Sequence, residues 1–532
     1  MLSDFDTASV CALLPLLDAE QPVAAIRETV DSVLAQDHPR TEIVVADGRG
    51  PDAEALDLPS DRVRIVPATP GNRAAGFQAA AAATDADYLL LLAGPGGLTL
   101  RTSAVRTLVM AARRGGAPPD APPVALVYSD YERLEPDGRC CEVHLLDYHP
   151  GRLRDTFDLG SVWLVDRALL QAAGGFYPEY RFADLYDLRL RLSCQGRLVH
   201  VSNRYAGALY RVAAASRAHN VFDYLLAGKE AQLEAERACT VHLKRIGAYL
   251  APGAHVRPVE YAPDELERLG DCLASVVTPV NHRPEFIGRA IESVQNQTVS
   301  QVEMIVVVNG GPDDPTCAAV RRYLPGGDRF DPARPPVRLL ITDVNNLGLC
   351  LNMGIAAARG KYYVQLDSDD RLKPDAIEKL LAVFDSDPTV GMVIGSYEVW
   401  TLDEATGRLD RNDEIPVVTH DEWTADNGRN NLLRINGAGA PRAAHIKVIR
   451  EVGWFGVNDS PHCRNYGEDY DLVLRISERY TIGRVYEPIY EVIRHSGGTD
   501  HAIDQATINR NDNAKDQMRA EALARRMALN RQ

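Results

Sequence analysis

The sequence is short of several things, and each shortage closes off a class of protein. No apolar run is long enough to cross a bilayer; the longest, Ala74 to Ala93, is cut by Asp85 and Asp87. Positive charge is in deficit: 58 Lys and Arg stand against 74 Asp and Glu, a net charge of −16. That balance opposes a phosphate backbone and makes nucleic acid an unsuitable partner. The nine cysteines are odd in number, contain no C-x-x-C pair and share no repeated spacing. They read as reduced thiols, not as a secreted disulfide framework. The N-terminal MLSDFDTASV is acidic where a signal peptide needs a positive region, so the expected location is cytoplasmic, in a bacterial type of protein.

What is present is an ordinary globular composition, with 45% hydrophobic and 25% charged residues over 532 positions. That length predicts about two to four domains. Laying the chain on itself refines this. DSVLAQDHPRTEIVVADGRGPD near residue 31 answers ESVQNQTVSQVEMIVVVNGGPDD near residue 292. DYLLLLAGPGGL (87–98) answers KYYVQLDSDDRL (361–372) at an offset of 274, and FADLYDLRLRLS (182–193) answers YGEDYDLVLRIS (466–477) at an offset of 284. Each half alternates short apolar strands with amphipathic helices, as in Ser275–Pro279, Phe286–Gln297 and Met304–Val308. This predicts βαβ units: an α/β fold with mainly parallel sheets flanked by helices. Ligands of such sheets sit beyond the carboxyl ends of the strands.

The expected organisation is a first domain over 1–215, a helical connector over 216–262, a second domain over 263–500 and a C-terminal helical tail over 501–532. Leu233, Val241, Leu243 and Ile246 supply the connector's apolar positions. The tail carries Arg510, Lys515, Arg519, Arg525, Arg526 and Arg531. With few apolar positions it is expected to dock on the protein in preference to an anionic membrane, although peripheral membrane contact stays open.

The chemistry is concentrated in the second half. LDSDD places Asp367, Asp369 and Asp370 at the end of a buried strand. Clustered carboxylates raise one another's pKa unless a cation sits among them, and oxygen ligands favour Mg²⁺ or Mn²⁺. Alone, a D-x-D is better read as a solvated acidic turn, or as a cap for the helix that follows Pro374. In YGEDYDLVLR, Glu468, Asp469 and Asp471 open a helix, where the macrodipole by itself favours acidic residues. The internal comparison separates these readings. Asp471 and Arg475 recur as Asp187 and Arg191 and are assigned to structure. Glu468 and Asp469 become Asp184 and Leu185, and Asp367 to Asp370 become Ala93, Gly94, Pro95 and Gly96. Both clusters are lost together, as expected if they serve one reaction.

With these motifs in order, residues 272–500 resemble a family 2 glycosyltransferase of the GT-A fold: VVTPVNHR (276–283), EMIVVVNGG (303–311), NNLGLCLNMGIAAARGKYYVQLDSDD (345–370), GED (467–469) and YEVIRHSGGT (490–499). The first half resembles the same family with its catalytic motifs missing, giving a tandem of a degenerate and an intact copy of this Rossmann-like fold. The resemblance implies a donor nucleotide-diphosphate sugar, a hydroxyl acceptor and a divalent cation, Mn²⁺ or Mg²⁺. It implies Asp367, Asp369 and His495 as metal ligands and Asp469 as general base, with Glu468 beside it. Pro279, Asn281, Asn309, Asn346 and Asp367 are implied on the donor. Val308–Asn309 departs from the family's usual acidic pair, which leaves the nucleotide open. One base and no enzyme nucleophile give inversion by single displacement; a retaining reaction would need a second carboxylate beneath the sugar, a place the sequence leaves open to Glu468 or Asp370.

Trp423 offers a face for sugar stacking, and Arg429, Asn430 and Asn436 offer hydrogen bonds of the kind hydroxyls need. These four are expected at donor or acceptor recognition, with a polar surface loop as the alternative. A non-catalytic carbohydrate-binding scaffold, a bifunctional polysaccharide synthase and a sugar-phosphate nucleotidyltransferase are the competing readings of the chain. The third lacks its Gly-rich, basic N-terminal signature. The sequence leaves homo-oligomerisation open.

Overall fold

A computed structural model describes all residues except 1–5, 19–20, 52, 59–60, 95–96, 115–117, 119, 215–227, 420–423, 436–438, 459–465 and 496–504. The chain divides into two compact units, Met1–Ile246 and Gly247–Gln532. The division falls inside the stretch expected as a connector. Its described helix, Lys229–Arg245, belongs to the first unit, where it buries Ala235, Ala238, Cys239 and Leu243. Leu233 and Val241, two of the apolar positions expected to pack, are exposed.

In the first unit the strands are β1 (Val10–Leu16), β2 (Thr41–Asp47), β3 (Val63–Pro67), β4 (Tyr88–Leu92), β5 (Thr99–Leu100), β6 (Val124–Ser129), β7 (Tyr131–Leu134), β8 (Cys140–Val143), β9 (Val162–Asp166), β10 (Arg197–Val201) and β11 (Tyr210–Ala213). The main sheet runs β3-β2-β1-β4-β9-β6-β10. Only β9 is antiparallel to its neighbours. VCALLPL in β1 and VALVYS in β6 are buried throughout, the pattern of strands covered on both faces.

The second unit has β12 (Ala274–Val280), β13 (Val302–Val308), β14 (Val337–Ile341), β15 (Tyr362–Gln365), β16 (Arg371–Leu372), β17 (Val390–Asp403), β18 (Arg408–Arg411), β19 (Arg442–His445) and β20 (Thr481–Arg494). Its sheet runs β14-β13-β12-β15-β19-β17-β20, with β19 antiparallel. Position for position, this is the strand order of the first unit. Pro279 is tolerated in a central strand because β15 pairs with β12 only as far as Val277, so no neighbour on that side needs its N–H.

Side-chain detail repeats as well. Gln36 donates to Ser32 O and Arg101 O, and Gln297 donates to Ser293 O and Lys373 O. Arg191 pairs with Asp187 and donates to the carbonyls of Ala173 and Gly175. Arg475 does the same with Asp471 and the carbonyls of Val452 and Trp454. Both pairs lash a sheet-covering helix to the turn beside it. No described helix is long and apolar enough to cross a membrane.

Candidate active site

β12, β13 and β15 run parallel and end on one side of the sheet. The loops that leave them carry Asn281 and Arg283, Asn309, and Asp367 to Asp370, while β20, running parallel to β17, delivers His495 just past its end. Buried apolar strands thus aim a polar set at one edge, as parallel α/β sheets do.

The LDSDD turn distributes its three carboxylates among different tasks. Asp370 is buried; its Oδ1 accepts from the Ile493 N–H at 2.8 Å, and burial, with Asp367 and Asp369 adding to it, pushes its carboxyl well up. It staples the turn to β20. Asp367 accepts from Gln365 Nε2 at 3.2 Å, and its own N–H donates to the Tyr490 hydroxyl at 3.1 Å. Burial raises the Asp367 carboxyl and Arg442 opposes the rise. Asp369 is the most open of the cluster: its Oδ2 accepts from Arg283 Nη1 and lies 3.1 Å from His495 Nε2. The buried His495 ring stacks on Phe286 at 4.2 Å.

The second acidic cluster arrives on the helix Glu468–Ser477, hereafter the GED helix, which Gly467 opens at φ 84°. Asp469 Oδ1 accepts from the Tyr470 N–H at 2.7 Å, and its Oδ2 accepts from Arg442 Nη1. Arg442 Nε also donates to Gln365 Oε1 at 3.3 Å, and Asp469 and Asp367 both raise its pKa against burial. One guanidinium therefore joins two acidic motifs a hundred residues apart. Glu468 is buried, and its Oε2 has no hydrogen-bond partner among the described residues. Burial, reinforced by Asp469, pushes its carboxyl up to about 7.

At the ends of β12 and β13, the Asn309 N–H donates to Val280 O at 2.9 Å. Its side-chain amide donates to Asn345 Oδ1 at 3.3 Å and reaches Cys350 Sγ at 3.5 Å, which leaves the buried Oδ1 without a donor among the described residues. Asn281 Oδ1 lies 3.1 Å from His282 Nδ1.

Several expected residues stand elsewhere. Among the described residues, no three His, Cys, Asp or Glu side chains gather as a metal cage. The expected triad is met as the pair Asp369–His495, because Asp367 is drawn to Gln365 and Arg442. Asn346 caps the helix Leu347–Ala357 through the Leu349 N–H and donates to Val457 O, both at 2.9 Å. Asn72 does the same in the first unit with Ala75 and Pro178. Arg429 donates to the carbonyls of Ser477, Ala254 and Glu478. The buried Asn430 exchanges hydrogen bonds with the Leu250 backbone. The polar groups that suggested sugar recognition are spent on backbone. Trp423 and Asn436 lie outside the described residues. Sequence reasoning did not single out Arg283, although it ends the quoted VVTPVNHR, or Arg442. The available signal was electrostatic, since packed carboxylates demand cations.

Residues 275–450 match the family model Glycosyl transferase family 2. The matched stretch lies within the second unit. The chain is similar to chondroitin synthase of Escherichia coli, 23% identical over 243 residues, or 46% of this chain and 32% of the relative. It is also similar to hyaluronan synthase of Pasteurella multocida, 27% identical over 227 residues, or 43% of this chain and 21% of the relative. The chain thus matches a third or less of the length of these proteins. Among solved structures, it resembles mannosyltransferase PcManGT from Pyrobaculum calidifontis in complex with GDP-Man and Mn²⁺, with 16% identity and a TM-score of 0.32, over 57% of this chain and 84% of that one.

Proposed function

We propose that the second unit is a divalent-metal-dependent, inverting glycosyltransferase that moves a sugar from a nucleoside diphosphate to the hydroxyl of a carbohydrate acceptor. The observation that carries the reading is the bridge from Asp469 through Arg442 and Gln365 to Asp367, which brings the acidic motif of the GED helix to the strand end that carries the D-x-D.

Asp369 and His495 suit a cation in donor type and spacing, 3.1 Å apart, and the acidic turn supplies the charge to hold it. They would bind Mn²⁺ or Mg²⁺ together with the donor's phosphate oxygens, and the chemistry of the bound ion is Lewis-acid neutralisation of the leaving diphosphate. Arg283 adds a fixed positive charge at the same place. Asn309 offers its free Oδ1 to an N–H of the nucleotide base, beside Pro279 and Asn281. Asp469 takes the proton from the acceptor hydroxyl as that oxygen bonds to the anomeric carbon. Arg442 keeps the carboxylate oriented. With no second carboxylate assigned beneath the sugar, the displacement is single and the configuration inverts.

The first unit we read as a tandem copy that has given up this chemistry and serves structure or acceptor holding. Its sheet order and its Asn72 and Arg191 contacts parallel those of the second unit, whereas Ala93, Gly94 and Leu185 stand where carboxylates would be needed. That favours one active site over a bifunctional synthase. The described cysteines are all free, in keeping with a cytoplasmic protein.

The test is binding and turnover with Mn²⁺ across UDP-, GDP- and TDP-sugars. Asp369→Ala is expected to abolish metal-dependent donor binding, and Asp469→Asn to retain binding while losing transfer. A chain that bound no nucleotide sugar, or an Asp469→Asn enzyme as fast as wild type, would overturn the assignment.

A further inference from the structure

The C-terminal helix Gln505–Leu529 was expected to be a polar tail, yet it carries three charged side chains with no exposure at all, Asp516, Arg519 and Arg526. Buried charge is costly unless it is paired and hydrogen-bonded. Here it is. Arg526 donates to Arg429 O at 2.7 Å and to Ser477 Oγ at 3.0 Å, at the far end of the GED helix. Arg519 donates to Asp516 Oδ1 at 2.6 Å and to Ile435 O at 3.2 Å, and lies over the Tyr470 ring at 4.9 Å, near the start of the GED helix. Arg429 and Asn430, which looked like sugar contacts in the sequence, help seat this helix.

Met518 closes on the turn that opens the GED helix: a Cβ added to Gly467 would stand 2.6 Å from Met518 Cε. Three residues earlier on the same helix, Lys515 holds its ammonium 4.8 Å from the Tyr466 ring centroid and 5.7 Å from that of Tyr470, and so brackets Gly467, Glu468 and Asp469. We propose that Lys515 is a positioning residue for sugar transfer, an ammonium delivered by the C-terminal helix that holds the Glu468–Asp469 pair in place from a second element, as Arg442 does from β19. This rests on the reading of Asp469 as the base.

Charge accounting supports the need for it. Arg442 is shared among Asp469, Asp367 and Glu468, one cation against three carboxylates. The groups that face the pair are Asp367 and Tyr363 at β15, Arg442 in β19 and Lys515 on the C-terminal helix, with Tyr466 and Arg519 around Lys515. Burial works against the Lys515 charge, but Tyr466 and Asp469 outweigh it, so it remains an ammonium. Burial and Asp469 raise the Glu468 carboxyl and Lys515 lowers it, so loss of the ammonium leaves the proton of Glu468 more firmly held beside the base.

The test compares full-length wild type with Lys515→Met, Lys515→Gln, Lys515→Arg and Asp469→Asn, using a nucleotide sugar that the wild type turns over in Mn²⁺. Both neutral variants are expected to bind the donor as wild type does, to lose about tenfold in kcat at neutral pH, and to move the acid limb of the kcat–pH profile up by about one pH unit. Lys515→Arg is expected to keep the wild-type limb and kcat within about threefold. A purely structural lysine would lower the melting temperature and leave the limb where it was. Superposed profiles, or failure of both neutral variants to fold, would overturn the proposal. An Asp469→Asn enzyme that transfers sugar normally would overturn the base assignment instead, so the two failures are distinguishable.

Discussion

Arg442 donates through Nη1 to Asp469 and through Nε to Gln365, whose amide in turn donates to Asp367. It is the first residue of β19, which runs antiparallel to both β15 and β17. That reversal starts β19 at the edge where the parallel strands end. A half-buried guanidinium there neutralises carboxylates from both sides, and its planar fork fixes their orientation as a point charge would not.

Arg442→Met is therefore expected to cost about 3 kcal/mol of stability, because removing one partner of a half-buried pair leaves the other charge uncompensated. Transfer should fall below detection. Arg442→Lys should recover part of the stability but little of the rate. Urea midpoints alongside turnover check both, and a Met variant as stable as wild type would show that Asp367 and Asp469 are compensated from elsewhere.

Glu468 sets a pH dependence of stability. Its folded-state pKa, about 7, lies above its ordinary 4.5. Below pH 4.5 the carboxyl is protonated in both states and the contribution is full. Between 4.5 and about 7 the unfolded chain ionises first, the native state holds the extra proton, and stability falls as pH rises. Asp370, raised in the same direction, acts likewise. Glu468→Gln should flatten the decline in urea midpoint measured from pH 4.5 to 7.5; an unchanged slope would mean that Glu468 does not hold a proton in the native protein.

The strands were the legible part of the sequence. Buried runs such as VEMIVVV and the internal match of β2 with β13 carry their own signal, and the acidic motifs point to Asp369, Asp469 and His495 without a structure. The cations were not legible. Nothing local distinguishes Arg283 or Arg442 among 58 basic residues, because their role depends on partners 86 and 27 positions away. Arg429 and Asn430 misled for the same reason. Their segment reads as a polar loop, yet Asn430 answers Leu250, 180 positions earlier. Asn346 lies beside family motifs, and only its cap, duplicated at Asn72, reveals its structural work.

Metal binding should report on Asp369 and His495 without any turnover. Mn²⁺ is expected to raise the melting temperature of wild type in a dose-dependent way, since a ligand that binds only the native state stabilises it by mass action. Asp369→Ala should abolish the rise and His495→Ala should reduce it. Asp370→Asn should keep it, because Asp370 faces the Ile493 N–H. Scanning calorimetry with and without Mn²⁺ checks the three, and an undiminished rise in Asp369→Ala would remove this pair as the ligand set.

Gly467 tests the coupling between the GED turn and the C-terminal helix. At φ 84° it occupies the left-handed region, where a side chain costs about 1–2 kcal/mol from the backbone alone. Gly407, at φ 70°, has nothing within 4 Å of an added Cβ and serves as the control that carries only the backbone cost. Gly407→Ala should lose about 1 kcal/mol and keep full transfer. Gly467→Ala should lose more, because its methyl group meets Met518 Cε, and should slow transfer by displacing Asp469. A double-mutant cycle with Met518→Ala isolates that contact: if the turn and the helix are coupled, the two losses are less than additive. Additive losses, with normal transfer in Gly467→Ala, would mean that the C-terminal helix lies beside the GED turn without holding it.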